Sequence, residues 1–397
     1  MTKTASHTWS EGKGRYVFLD LYRGLIVLLM LEGHVLRELL TPELRVSEWF
    51  RIHEIFHGVT APGFLFGSGF AFAIATQRKW EQAITFNKRF LRRCWRAILL
   101  IFTGYALHVP YLSLQKSLAL ATQSEWDAFF AFDVLQCIGV SLLILRILLF
   151  ILKKEKPFLI TIVILFLSIV YLTPIVSSEN FTNQLPPFLV PAFHIKGKSY
   201  FPFFPFAAYL LGGTIVSWMF LRAAQNLRES VFIQNLFFTG IALILLGWGL
   251  DALPYSTYSN YDFWHTSPNY FWIRFGILFL MMSALWYFED AFLRQPHRSW
   301  VMPRWLTTLG MQSLFVYIAH LIILYGWVYN TSFNMSYYWK DSLTLGASSL
   351  VALLLIALMT AGAFAWRYLQ KNHITYLRGL LFYFGFITVW PFLFSPN

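Results

Sequence analysis

Charge is scarce along this chain. Asp, Glu, Lys and Arg make up 13% of its 397 residues, where soluble domains average about 25%. That deficit excludes an ordinary soluble globular protein. Hydrophobic residues fill 57% of the sequence, and the mean hydropathy is +0.55, so the chain reads as an integral membrane protein. Cysteine is nearly absent too. Cys94 and Cys137 are the two present, which suggests neither a disulfide framework nor a thiolate metal cage. They are expected on opposite halves of the membrane, with no bond between them. The sequence also lacks a soluble domain, a low-complexity segment and a clear internal repeat, so residues 1–397 read as one transmembrane domain. Residues 1–15 are polar and show no cleavable signal pattern, because the apolar run that follows is too long for a signal core. Acidic residues are few beside basic ones, 19 against 31, giving a net charge of +12. Nucleic acid is not the expected partner, because the cations are distributed as membrane topology requires.

Eleven apolar segments are present, at roughly 16–40, 58–77, 97–113, 131–152, 157–176, 201–221, 231–250, 270–289, 305–328, 343–366 and 376–394. Each is long enough for a membrane helix or nearly so, and aromatic residues gather near their ends as interfacial belts do. The predicted fold is all-α and polytopic, with about 11 transmembrane helices. Three of the 31 Lys and Arg lie well inside spans, away from their ends: Arg23, Arg146 and Arg274. Seven fall on one side, Arg37, Arg45, Arg51, Lys116, Lys196, Lys198 and Lys340, and the other 21 on the opposite side. By the positive-inside rule the richer side is cytoplasmic. The N-terminus is then cytoplasmic and the C-terminus external, in a multi-pass protein of the cytoplasmic (inner) membrane. The densest inner loop runs from Arg78 to Arg96 with seven cations. It suits an anionic lipid surface, or a phosphorylated cytosolic ligand.

The first apolar segment carries Asp20, Arg23, Glu32 and His34 inside the span. Ionisable groups at membrane depth are costly and by default mark a functional interior. Arg23 and His34 are eleven residues apart, which is three helical turns plus about 20°, and about 16 Å along the axis. One face thus holds a cation in the inner half and an imidazole near the outer edge. The plain alternative pairs Arg23 with Asp20 at i, i+3 and leaves His34 at the interface. Glu32 lies about 200° from His34 on an ideal helix, so Glu38, at i+4, is the better placed partner.

Histidine is distributed one-sidedly. His34, His53, His57, His108, His194 and His265 fall at or beyond the outer boundary, and His320 in the outer half of its span. His7, His297 and His373 are cytoplasmic. Imidazole used for acid–base work belongs where the reaction occurs, here the external side. His53-Glu54-Ile55-Phe56-His57 matches the zinc-protease string. Gly58 and Pro62 follow almost at once, leaving little helix to hold it, and the string precedes a span rather than lying within one. Asp127, Asp133 and His108 are the remaining third-ligand candidates, and no metal is expected. A second competitor is a transporter using buried Asp20, Arg23, Glu32, Arg146 and Arg274 as a relay. Matched halves, which transporters often show, are not seen.

RYVFLDLYRGLIVLLM and HEIFHGVTAPGFLFGSGFAFAIA resemble the opening of the heparan-α-glucosaminide N-acetyltransferase family. DVLQCIGVSLL at Asp133, SYFPFFPFAAYLLGG at Ser199 and LGMQSLFVYIAHLIIL at Leu309 resemble later parts of it. The likeness is scattered along nearly the whole chain. His53 falls at the place of the family's catalytic histidine. The wider transmembrane acyltransferase superfamily, which includes bacterial enzymes that O-acetylate surface glycans, has an Arg, ten residues and a His on its first helix, as Arg23 and His34 do. Two departures stand out. The heparan family has Asn where this chain has His34, and Asp soon after the loop histidine where this chain has Gly63.

The resemblance implies a membrane acyltransferase that takes acetyl-CoA, or another acyl-CoA, from the cytosol. Its phosphates would meet Arg23, Arg89, Arg92, Arg93 and Arg96, and His53 or His34 would act as general base. The expected acceptor is a hydroxyl or amine of an extracytoplasmic glycan or lipid-linked saccharide. Membrane lipids are the other expected partners, and a homo-oligomer is open.

Overall fold

A helix that carries five charged residues can still lie at the centre of a membrane protein if other helices wrap it. The computed structural model describes residues 16–194, 199–255, 258, 262–293 and 304–394. Within these, α1 (Val17–Leu39) buries residues around its whole circumference, among them Phe18, Tyr22, Ile26, Val27, Leu31, Val35 and Leu39. An apolar stripe alone would imply one covered face. Burial on every side means that α1 is largely enclosed by other helices, while Arg37, near its C-terminal end, is exposed.

The remaining long helices follow in order. They are α2 (Glu48–His57), α3 (Thr60–Gln77), α4 (Lys88–Ala106), α5 (Val134–Leu152), α6 (Glu155–Val176), α7 (Phe203–Gln225), α8 (Glu229–Asp251), α9 (Pro268–Phe288), α10 (Arg304–Met311), α11 (Ser313–Tyr325), α12 (Leu345–Asn372) and α13 (Ile374–Phe394). α1 packs against α3, α9, α10, α11 and α12. Among the described residues there is no β-strand, and an isolated bridge joins Leu40 to Leu343. The protein is all-α.

Each of the eleven expected segments falls on a helix, or for 305–328 on a pair. Among the described residues eight helices are long and apolar enough to cross a membrane, or nine with that pair counted as one. α1, with Asp20, Arg23 and Glu32, and α4, with five Lys and Arg, are not among them. Two local expectations differ from the structure. The segment 305–328 breaks at Gln312, and α10 and α11 are bent by 82°. The segment 97–113 is shifted, because its helix starts at Lys88 and ends at Ala106. Residues 41–57, which lie between two of the apolar segments, are helical from Glu48, and the His53–His57 string lies in the last turns of α2. His7, Lys196, Lys198 and His297 lie outside the described residues.

An extensive contact joins α3 to α7 and depends on missing side chains. A Cβ on Gly69 would stand 1.9 Å from the Leu210 carbonyl oxygen, and one on Gly213 2.1 Å from that of Phe66. With both positions bare, the backbones approach closely, as small residues permit in membranes. Thr214 Oγ1 then donates to the Gly69 carbonyl at 3.2 Å, and Ser217 Oγ to that of Phe70 at 3.0 Å. Cys94 and Cys137 are both free thiols.

Candidate active site

α1 presents ionisable groups at both ends, and each end meets a different cluster. Near its C-terminal end four imidazoles form a row. The rings of His53 and His57 on α2 are 6.1 Å apart, those of His57 and His34 5.7 Å, and those of His34 and His320 on α11 5.1 Å. The row depends on Gly33, where a Cβ would stand 1.8 Å from His57 Cδ2.

Hydrogen bonds fix which ring nitrogens carry protons. His320 Nδ1 lies 2.9 Å from the Val316 carbonyl oxygen, which can only accept. That nitrogen is therefore the donor, and Nε2 of the neutral ring holds a lone pair. His34 Nδ1, 2.9 Å from His320 Nε2, donates to it. The acceptor nitrogen of His34 is then Nε2.

His53 is arranged differently. Its Nε2 lies 3.0 Å from both Glu32 carboxylate oxygens. The N–H donates to the carboxylate, so Nδ1 is the lone-pair nitrogen, and it is buried without a hydrogen-bond partner. A carboxylate behind an imidazole fixes its tautomer and stabilises the imidazolium that forms when it takes a proton. His57 Nδ1 has a longer contact, 3.7 Å to Glu54 Oε1, and its Nε2 is buried and unpartnered.

The expected pairing of Glu38 with His34 is absent. Glu38 accepts from Ser336 Oγ at 2.5 Å and lies 3.8 Å from Lys340 Nζ. Although α2 does carry the zinc-protease string on a helix, His53 is committed to Glu32. Among the described residues no group of three or more His, Cys, Asp or Glu is placed to hold a metal ion.

Toward the N-terminal end of α1 lies a cavity of about 320 Å³ between α1, α3, α4 and α5. Arg23, Arg93, Arg96 and Arg146 all line it. Arg23 Nη2 donates to Ser313 Oγ at 2.9 Å, at the break between α10 and α11. Arg146 sits 4.8 Å over the Phe72 ring, and its Nη1 is buried without a partner. Four guanidinium groups around one space repel one another unless an anion joins them. Arg and its planar fork are suited to phosphate.

The sequence-predicted residues therefore divide. Arg23, Arg93 and Arg96 come together, whereas Arg89 and Arg92 are exposed on α4 and do not line the cavity. His34 and His53 belong to the same row but contact different partners. Three residues of the site have no legible role in the sequence. Helical spacing sets Glu32 on the side of α1 away from His34 and gives it no other partner. His320 stands out only by its depth, and Arg146 only as a buried charge. The one available signal for each was its cost inside a span.

A model of the family described as heparan-alpha-glucosaminide N-acetyltransferase, catalytic, matches residues 15–255. That is more than half of the 397 residues. The chain belongs to this family. It is thus a multi-pass membrane protein of an acetyltransferase family, and the matched stretch holds His34, His53, Glu32 and all four cavity arginines. His320 and Arg274 lie beyond it. No curated protein matches the chain.

Proposed function

We propose that the protein moves an acetyl group from acetyl-CoA to a hydroxyl or amine of an extracytoplasmic, glycan-type acceptor across the membrane in which it sits, the cytoplasmic membrane. The donor phosphates bind from the cytosol in the arginine-lined cavity. Four guanidinium groups and the orphaned Arg146 Nη1 suit that role, because charge-assisted bonds to phosphate are among the strongest available. The acyl arm runs along α1 toward the histidine row.

The observation that carries the chemistry is the Glu32–His53 pair with its unpartnered Nδ1. The acceptor oxygen or nitrogen attacks the thioester carbonyl carbon while His53 Nδ1 takes its proton. The C–S bond then breaks, and His53 passes that proton to the departing thiolate. Glu32 holds the imidazole in the required tautomer throughout. His34 Nε2 offers a second acceptor nitrogen to orient the acceptor's O–H or N–H.

The test is transfer of labelled acetyl from acetyl-CoA to extracted envelope glycans by folded protein. His53→Ala should lose about 100- to 10,000-fold in rate, the range of a general base, with donor affinity retained. Glu32→Gln should lose rate without weakening the donor. Near-normal rates in both variants would sink this mechanism.

A further inference from the structure

The Glu32–His53 pair opens sideways. The Glu32 side chain is 36% exposed and that of His53 17%. On α1, Leu25, Leu28, Leu29 and Glu32 stand at i, i+3, i+4 and i+7, which is one face over two turns, and all four are half-buried. Leu21, one turn before this stretch, and Leu36, one turn after it, are buried. Leu36 forms with Leu40 and Phe50 a hydrophobic cluster separate from the main core, and Leu44 and Trp49 pack against it. That cluster covers the pair from the C-terminal end of α1, and the His53 ring stacks on Phe50 with centroids 5.5 Å apart. What remains is a lateral opening, apolar on both sides of its one carboxylate.

α2 continues the apolar surface. Ile52 and Phe56, one turn apart on either side of His53 in sequence, are 54% and 55% exposed. In a membrane protein, large apolar side chains left uncovered are suited to hydrocarbon and not to water. A carboxylate facing hydrocarbon is costly, and a polar ligand group laid over it offsets that cost. Glu32 is about 10 Å along the axis from the end of α1 at Leu39, at about 1.5 Å per residue. The leucines at 25, 28 and 29 lie deeper still.

We propose that the acyl acceptor is a lipid-linked saccharide that reaches His53 from within the bilayer. This rests on the acyl-transfer reading above. Its hydrocarbon tail lies against Leu25, Leu28 and Leu29 of α1 and Ile52 and Phe56 of α2. A sugar hydroxyl bonds the open side of the Glu32 carboxylate, whose oxygens each keep a further lone pair. The tail thereby sets the depth of the sugar and brings its reacting hydroxyl or amine to His53 Nδ1. A water-soluble glycan has nothing to bury those five side chains, whereas a tail removes their apolar surface from any water that enters with the sugar.

The test uses full-length protein in nanodiscs with acetyl-CoA, and dodecyl β-glucosaminide beside methyl β-glucosaminide, which share a head group. Acetyl transfer should favour the dodecyl sugar at least about tenfold. Partition of the tail into the bilayer would raise that ratio in every variant alike, so the variants decide. Ile52→Gln, Phe56→Gln and Leu29→Trp should each lower the ratio about three- to tenfold, the last by filling the opening. Phe382→Gln, at a position on α13 that is 76% exposed, should leave the ratio unchanged. Undiminished acetyl-CoA binding by each variant shows that it is folded. A dodecyl glucosaminide with a photoreactive tail should label residues 25–32 or 52–56. Equal rates with the two sugars in wild type, or a ratio no lower in the three variants than in Phe382→Gln, overturns the proposal. If the tail labels this opening but no acetyl moves to either sugar, the opening stands and the acyl-transfer reading falls. If acetyl moves equally to both sugars, transfer stands and the lipid-linked acceptor falls.

Discussion

His34 Nδ1 and His320 Nε2 are 2.9 Å apart although 286 residues separate them in the chain. The Val316 carbonyl behind His320 sets the direction of that hydrogen bond, so a backbone group on α11 determines which nitrogen of an α1 histidine is free to accept. His34→Ala and His320→Ala should each lower acetyl transfer about 100-fold while acetyl-CoA binding is kept. His320→Gln should recover part of the loss, because its amide oxygen can accept from His34 while its NH₂ donates to Val316. Equal losses in His320→Ala and His320→Gln would show that His320 does not act by positioning His34.

The basic cavity makes a sharper prediction than the sequence did. Arg146→Ala and Arg96→Ala should each weaken acetyl-CoA binding about 10- to 100-fold, as for hydrogen bonds to a charged group. Arg89→Ala and Arg92→Ala, exposed on α4, should change it less than about fivefold. Titration of the four variants with acetyl-CoA decides. A larger effect at Arg89 than at Arg146 would place the donor on the surface and not in the cavity.

Gly33→Ala tests the row as a unit. The added methyl would meet His57 Cδ2 at 1.8 Å, so the ring or α2 must move. Overpacking of this kind costs about 1–3 kcal/mol, and transfer should fall with it. Gly249→Ala is the control, since nothing lies within 4 Å of its Cβ position, and a helical Gly→Ala change there should stabilise by about 0.5–1 kcal/mol. Thermal unfolding and acetyl transfer measured on both variants give the comparison.

The cation distribution predicts a cytoplasmic N-terminus and an external C-terminus. Reporter fusions after residue 397 should be active only as external reporters. A cytoplasmic signal would mean that one of the eleven segments does not cross.

Hydrophobicity alone determined that this is an all-helical membrane protein and where most of its long helices run. A span of about 20 apolar residues needs no particular neighbour to be a helix, because every backbone group must be satisfied within the segment. The order of short motifs also made the family legible, since those motifs are contiguous in sequence. Partnership was not legible. Helical spacing placed Glu32 away from His34 correctly, but it could not show that α2 passes along that other side of α1 and brings His53 to it. Arg89, Arg93 and Arg96 share one stripe of α4 by the same spacing, yet only the two deeper ones reach the cavity, because α3 and α5 set the depth at which it opens. The bend of 82° at Gln312, which brings Ser313 to Arg23, has no apolar signature at all. Long-range pairing is decided by how enclosed helices pack, and a one-dimensional pattern of polarity carries only the face each helix must hide.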